Sequence, residues 1–183
     1  GQNITAGVAV NGAIGIGYNT FSGAGTQTTD INHTIAIGTN TLANLESGIG
    51  NVAIGFEALN AEDDGDHNTA IGYQALTAQT GTSGTVGNTA VGYKTLDGVT
   101  TGVKNTAIGA EAMGSADGAE EQNVAIGYKA MFNNNNGSSN TCIGSGTLLS
   151  TAAGSGQIAI GRDVACIANE TATIGFGSNV ASL

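Results

Sequence analysis

The stretch Asn68-Thr-Ala-Ile-Gly-Tyr-Gln-Ala-Leu76 decides the fold, because close variants of it return along almost the whole chain. Two of them are Asn51-Val-Ala-Ile-Gly-Phe-Glu-Ala-Leu59 and Asn123-Val-Ala-Ile-Gly-Tyr-Lys-Ala-Met131. Self-similarity of this kind predicts a stacked solenoid rather than an ordinary globule. We expect one coil to be centred on each of ten glycines: Gly15, Gly38, Gly55, Gly72, Gly92, Gly109, Gly127, Gly144, Gly161 and Gly175.

Each copy contains a short alternating segment in which a β-branched residue, Ala and Ile precede the Gly, as in Thr69-Ala70-Ile71-Gly72. Alternation with a period of two predicts a β-strand. We expect its Ile face to fill the core and its Ala face to lie against another backbone or another chain. The Gly predicts a bend with positive φ or a close backbone approach. A second short strand is expected at the third and fourth places after the Gly, where the fourth is Leu or Met, as in Leu76.

An Asn or Gln stands four residues before the Gly in most copies, and such amides are expected to stack as a ladder along the axis. The column comprises Asn11, Asn51, Asn68, Asn88, Asn105, Asn123, Asn140 and Gln157. The residues that define the repeat best are Asn68, Ala70, Ile71, Gly72, Leu76, Asn123, Ala125, Ile126 and Gly127. Between the Leu column and the next Asn, polar segments vary in length, which predicts loops on one edge of the stack.

The composition fits one repeat domain over residues 1–183 and limits the choice of partners. Gly is abundant at 31 residues while Pro and Trp are absent, which argues against collagen and Pro-rich linkers. Small side chains make a thin core, so we expect partner chains to cover part of each coil. The net charge of −10 disfavours nucleic acid and anionic membranes, and no long apolar span is present. Neither Gly1–Val10 nor Asn179–Leu183 has the pattern of a cap, which predicts neighbouring segments at both ends.

The three quoted repeats resemble the head repeats of trimeric autotransporter adhesins, the YadA-like family, and similar repeats in bacteriophage tail fibres and other virion appendages. The resemblance covers about residues 11–180. It implies a left-handed parallel β-roll whose three chains pack side by side about a common axis. The adhesin repeat has a regular 14-residue period, whereas most intervals here are 17 to 20 residues. This difference favours the version found in phage fibres.

Candidate ligand sites lie in the loops and compete with plainer interpretations. Asp63, Asp64 and Asp66 flank Gly65 and could ligate calcium, but the spacing does not fit an EF-hand and a solvated loop is the favoured interpretation. No cofactor is predicted. The candidate recognition loops contain Asp64, Asp66, Asn134, Asn135 and Asn136, whose carboxylates and amides suit a host-surface glycan or protein.

Other residues carry weaker signals. His33 and His67 fall five residues before a repeat Gly, either as surface histidines or as threefold metal ligands. Cys142 replaces an Ala and indicates a small buried residue or a lateral disulfide. A recurrent aromatic after the Gly suits packing between subunits or glycan contact. Glu57 and Glu111 share one column at a separation too large for paired-carboxylate hydrolysis.

The sequence therefore predicts a non-enzymatic, homotrimeric fibre segment of a phage tail or virion appendage. Its role would be that of a rigid shaft or head presenting loops for host attachment. The alternatives are the head of a bacterial trimeric adhesin at the cell surface and, less favoured, an ice-binding solenoid with Thr ladders.

Overall fold

The protein is an all-β parallel solenoid in a computed structural model that describes residues 11–23, 30–80, 84–116, 118–148, 154–166, 168–177 and 179–182. In this part of the chain, ten short strands pair in parallel in a single ladder, which corresponds to about nine turns and confirms the predicted solenoid. No α-helix occurs there, and hence no helix able to cross a membrane. The ladder strands are β1 (Ile14–Ile16), β2 (Ile35–Ile37), β3 (Val52–Ile54), β5 (Thr69–Ile71), β7 (Thr89–Val91), β8 (Thr106–Ile108), β9 (Val124–Ile126), β10 (Thr141–Ile143), β11 (Ile158–Arg162) and β12 (Ala172–Phe176).

Two further features complete the strand pattern. β4 (Gly65–Asp66) and β6 (Gly84–Thr85) form a small parallel pair beside the main ladder. β13 (Asn179–Ser182) runs back antiparallel along β12. The prediction that Asn179–Leu183 offers no cap was therefore wrong, because this segment pairs with the edge that β12 would otherwise leave open. The corresponding prediction for Gly1–Val10 lies outside the described residues.

The two faces of the strands are the reverse of those predicted. The Ala column is fully buried inside the coil, as at Ala70 and Ala107, whereas Ile108 is 40% exposed. The reason is volume. Leu76 and its equivalents are also fully buried, and together with the other interior side chains of each turn they leave room only for Ala on the strand.

In the first coil, too, the size of the buried side chains determines the packing. The prediction that this coil is centred on Gly15 was wrong. β1 pairs Gly15 with Ala36, so Gly17 rather than Gly15 takes the repeat position, with φ +138° beside +137° at Gly38. Phe21 then occupies the buried Leu position. A methyl group at Gly15 would lie 3.0 Å from the Phe21 ring, so the larger ring is accommodated by the loss of the Ala side chain.

The repeat glycines combine both predicted properties. Gly109 has φ +130°, and a methyl group there would lie 2.6 Å from the carbonyl oxygen of Gly127 in the next coil. The second strand expected after the Gly was wrong, because Leu59, Leu76 and their equivalents have φ near +50° and lie in turns. Turns still stack, since the N–H of Leu59 donates to the carbonyl of Ala75 at 3.0 Å.

The predicted Asn ladder is confirmed. In each step the side-chain oxygen of one amide accepts the backbone N–H of the next, with N···O distances of 2.8 to 3.1 Å from Asn51 through to Gln157. In five of these residues the amide nitrogen also donates to a backbone carbonyl of the next coil, as from Asn105 to Glu120 at 2.7 Å. The ladder therefore satisfies buried backbone groups at the corner before each strand. Asn11 does not belong to it, because the corrected register puts Ala13 four residues before Gly17.

Candidate functional site

The solenoid exposes one continuous apolar surface, which we call the isoleucine face. It consists of the outward residues that directly precede the repeat glycines: Ile16, Ile37, Ile54, Ile71, Val91, Ile108, Ile126, Ile143, Ile160 and Ile174. The second outward position of each strand is also uncharged in all ten strands. In these two columns of the described strands, a chain of net charge −10 therefore has no charged residue, and Arg162 follows at the end of β11.

An aromatic column borders the isoleucine face across the repeat glycines. It comprises Tyr18, Phe56, Tyr73, Tyr93, Tyr128 and Phe176. Phe56 and Tyr73 stack with their ring centroids 5.2 Å apart, and Tyr73 stacks on Tyr93 at 5.5 Å. All six rings are exposed to solvent, so the column is a surface feature of the single chain.

The next position along the chain forms a polar column beside the aromatic rings. Gln74 donates a hydrogen bond to the Glu57 carboxylate at 2.8 Å, and Lys129 forms an ion pair with Glu111 at 3.2 Å. The Lys94 ammonium lies 5.9 Å from the centre of the Tyr93 ring, and Lys129 lies 5.4 Å from that of Tyr128. Three of the four basic residues in the chain contact aromatic rings, the third being Arg162, 4.0 Å from the ring centre of Phe176.

The acidic run is a cluster, but its membership differs from the predicted calcium ligands. Oxygen atoms of Glu62, Asp63 and Asp64 lie within 4.8 Å of one another, whereas Asp66 accepts the backbone N–H of Ile49 at 2.8 Å. Glu62 is fully buried and accepts hydrogen bonds from the Gly65 N–H at 2.8 Å and the Asn68 amide at 3.3 Å. The Glu62 carboxylate thus accepts hydrogen bonds inside the coil.

Two carboxyl groups of this cluster, those of Glu62 and Asp64, have raised pKa values. Burial raises the pKa of Glu62 to about 7, opposed by the hydrogen bond from Gly65 and reinforced by the charge of Asp63. Burial, followed by the charge of Asp63, raises the pKa of Asp64. Burial therefore makes Glu62 easier to protonate than an ordinary carboxyl group.

The Asn-rich loop contributes less surface than its sequence predicts. Asn134 is buried, and its side chain bonds both the N–H and the carbonyl of Gly137, at 3.1 and 3.2 Å. Asn135 is half-buried. Asn136 is exposed, although its side-chain oxygen accepts the Ala119 N–H at 3.0 Å. Of the three, Asn136 offers the most accessible side chain for recognition.

The remaining candidates occupy isolated or interior positions. His33 and His67 are exposed, and a methyl group at Gly50 would touch the His67 ring at 3.0 Å. Cys142 is a free thiol inside the coil, where it cannot reach a neighbouring chain laterally. Burial, followed by the negative charge of Cys166, raises the Cys142 pKa to about 12, which makes the thiol unreactive.

The two column carboxylates do not form a hydrolytic pair. Glu57 and Glu111 belong to coils three steps apart in the ladder, which separates them by roughly 14 Å at the usual strand spacing. Their side chains instead bond Gln74 and Lys129.

No protein-family model, curated protein or solved structure matches this chain. The geometry of its own residues therefore carries the functional proposal.

Proposed function

We propose that the chain is a non-enzymatic segment of a homotrimeric fibre in a phage tail or another virion appendage, where it provides a rigid shaft and presents loops to the host surface. The observation that carries this proposal is the isoleucine face, an uninterrupted apolar strip along a regular solenoid. Contiguous exposed apolar surfaces of this kind mark interaction sites.

A second copy of the chain is the partner that best fits the isoleucine face. Its residues repeat in register at every coil, so identical chains laid side by side present matching spacings along their whole length. Burial of Ile108, Ile126 and their equivalents would supply the apolar area that each thin coil lacks by itself. The resemblance to fibre and adhesin repeats implies that each coil is left-handed and that three chains pack side by side about a common axis.

Stoichiometry is the direct test. Light scattering on the native chain should give three times the mass of 17.9 kDa, and the trimer should persist on dilution to low micromolar concentration. A monomer over the whole concentration range would overturn the proposal.

Attachment is assigned to the loops at the edge away from the isoleucine face. Exposed residues there, such as Asn136, would meet a host glycan or protein three times per fibre, so that weak contacts gain strength through multivalency. Selective adsorption of the purified chain to one host cell type would support this role. The neighbouring genes would decide between a virion appendage and the alternative, the head of a bacterial surface adhesin.

Ice binding is a second candidate, favoured by one specific observation. Thr69, Thr89 and Thr106 pair in exact register on the outward side of the sheet. Val52 and Val124 interrupt this row at either end. Thermal hysteresis of the purified chain would support ice binding, and its absence would exclude it.

A further inference from the structure

The aromatic column is interrupted between Tyr93 and Tyr128, where Ala110 takes the ring position. Backbone hydrogen bonds fix this order, since the Glu111 N–H donates to the Tyr93 carbonyl at 2.8 Å and the Lys129 N–H to the Ala110 carbonyl at 3.0 Å. Both tyrosine rings are about half exposed, at 49% and 52%. The surface therefore has an open slot with Ala110 as its floor and one tyrosine at each end.

The size of the slot follows from the ladder. Rings on neighbouring coils stack 5.2 and 5.5 Å apart, so two rings separated by one empty coil lie roughly 10 Å apart. The stacked rings of Phe56, Tyr73 and Tyr93 show that one ring per coil fits this spacing, so the slot accepts a single six-membered ring. Its polar neighbours then decide which chemical class of ring it favours.

One side of the slot is polar. Lys94, Glu111 and Lys129 stand side by side in the polar column, with the Lys129 to Glu111 ion pair at 3.2 Å in its middle. They offer both hydrogen-bond donors and an acceptor next to the tyrosine rings. Ile108 lies across Gly109 on the other side, so the slot has one apolar and one polar wall.

The local charges nearly balance. Lys94 and Lys129 are opposed by Glu111 and by Asp97, whose pKa is raised by burial and lowered by the Lys94 charge. A guest with a full charge gains little here, whereas a neutral guest with several hydroxyl groups can use both the donors and the acceptor.

We infer that the Ala110 slot binds one neutral pyranose ring of a host-surface polysaccharide. Its C–H faces would lie against Tyr93 and Tyr128, and its hydroxyl groups would bond Lys94, Glu111 and Lys129. This inference rests on the proposed attachment function, and it adds to the loop contacts one contact on the wall of the coil, beside the isoleucine face.

The experiment compares two substitutions in the same column. Ala110→Tyr restores the missing ring and closes the slot, and Ser145→Tyr fills another position without a ring, between Tyr128 and Arg162. Both introduce the residue that neighbouring coils already carry, so both variants are expected to fold. Saturation-transfer NMR with methyl glucosides, methyl galactosides, cellohexaose and maltohexaose measures binding to the full chain.

The expected result is millimolar binding of at least one neutral probe by the native chain and by Ser145→Tyr, with at least tenfold weaker binding by Ala110→Tyr. Lys94→Gln should weaken binding severalfold. Equal binding by Ala110→Tyr, or no neutral probe bound by the native chain, would overturn the inference.

Light scattering on the same samples separates this inference from the fibre proposal. If the native chain is a monomer that binds the probes, and Ala110→Tyr abolishes that binding, the slot inference stands and the trimer proposal is wrong. A trimer that binds none of them refutes the slot alone.

Discussion

The side-chain oxygen of Asn88 accepts the backbone N–H of Asn105 at 2.8 Å, and both residues are completely buried. This bond joins two coils at the corner that precedes each strand. Because the same bond recurs along the ladder, one amide per coil fixes the register of the whole solenoid.

We expect Asn105→Ala to lower the free energy of unfolding by about 3 kcal/mol, because it leaves the buried Asn123 N–H without its partner and removes one of the two donors to the Glu120 carbonyl. Urea unfolding followed by circular dichroism measures the change. Asn133→Ala, at an exposed position, is the matched control and should shift stability by less than about 0.5 kcal/mol. Equal effects of the two substitutions would contradict a structural role for the ladder.

The repeat glycines test the close approach of successive coils. Gly109→Ala should lower the free energy of unfolding by several kcal/mol, because its methyl group would lie 2.6 Å from the Gly127 carbonyl oxygen. The backbones of successive coils are closely packed and cannot easily separate to make room. Thermal unfolding gives the comparison with Gly87→Ala. Gly87 has φ +65° but open space, with the nearest side-chain atom at 3.8 Å, so the control should cost about 1 kcal/mol. Similar losses would show that φ alone matters.

Sequence periodicity predicted the solenoid, the glycine bend and the amide ladder, because each depends on a residue type that recurs at one position. It could not determine which strand face is interior. Alternation defines two faces, and the choice between Ala107 and Ile108 depends on the space left by Met113 across the coil. The turn at Leu76 was missed for a related reason, since a left-handed Leu has no signature in the residue type.

Candidate sites were harder to predict than the fold. A further buried column was missed because its members share no chemistry, and it contains Leu45, Glu62, Gln79, Val99, Ala116 and Asn134. Glu62 and Asn134 therefore seemed to be loop residues, although their side chains face the interior. The slot at Ala110 also escaped notice, because it is defined by the absence of a ring from a column.

Because the Ala face points into the coil, Ala107→Leu tests the folding of a single chain and not the association of chains. The extra volume has no space inside the coil, so we expect a loss of about 3 kcal/mol or failure to fold. The exposed Ala119→Leu is the control and should be nearly neutral. Limited proteolysis and thermal unfolding report the difference. A normally folded Ala107→Leu monomer would mean that this face is outward after all.

For Ile108, the residue next to Ala107, we expect the opposite result: association of the chains should change while the coil stays folded. Ile108→Gln combined with Ile126→Gln should leave each coil intact but weaken association of the chains at least tenfold, since only exposed apolar area is lost. Light scattering over a dilution series measures association. Ser115→Gln, in an exposed loop, is the control. Unchanged association of the double variant would remove the isoleucine face from the interface.

Glu62 makes stability depend on pH. Its pKa rises from 4.5 in the unfolded chain to about 7 in the fold, so the folded protein holds the proton more tightly. The resulting stabilisation is complete below about pH 4.5 and is lost as the pH rises through about 7, by an amount on the order of 3 kcal/mol. Urea unfolding at pH 5 and pH 8 measures this loss.

Glu62→Gln isolates that contribution. Gln79 occupies the equivalent position in the next coil and accepts the Asn88 amide at 3.0 Å, so the coil accommodates Gln at this place. The variant should therefore fold and lose most of the pH dependence between pH 5 and pH 8. Burial also raises the pKa values of Asp64 and Asp97, so a contribution from these groups would have the same sign. A variant with the full native slope would show that Glu62 titrates at its ordinary pKa and that other carboxyl groups control the stability of this solenoid.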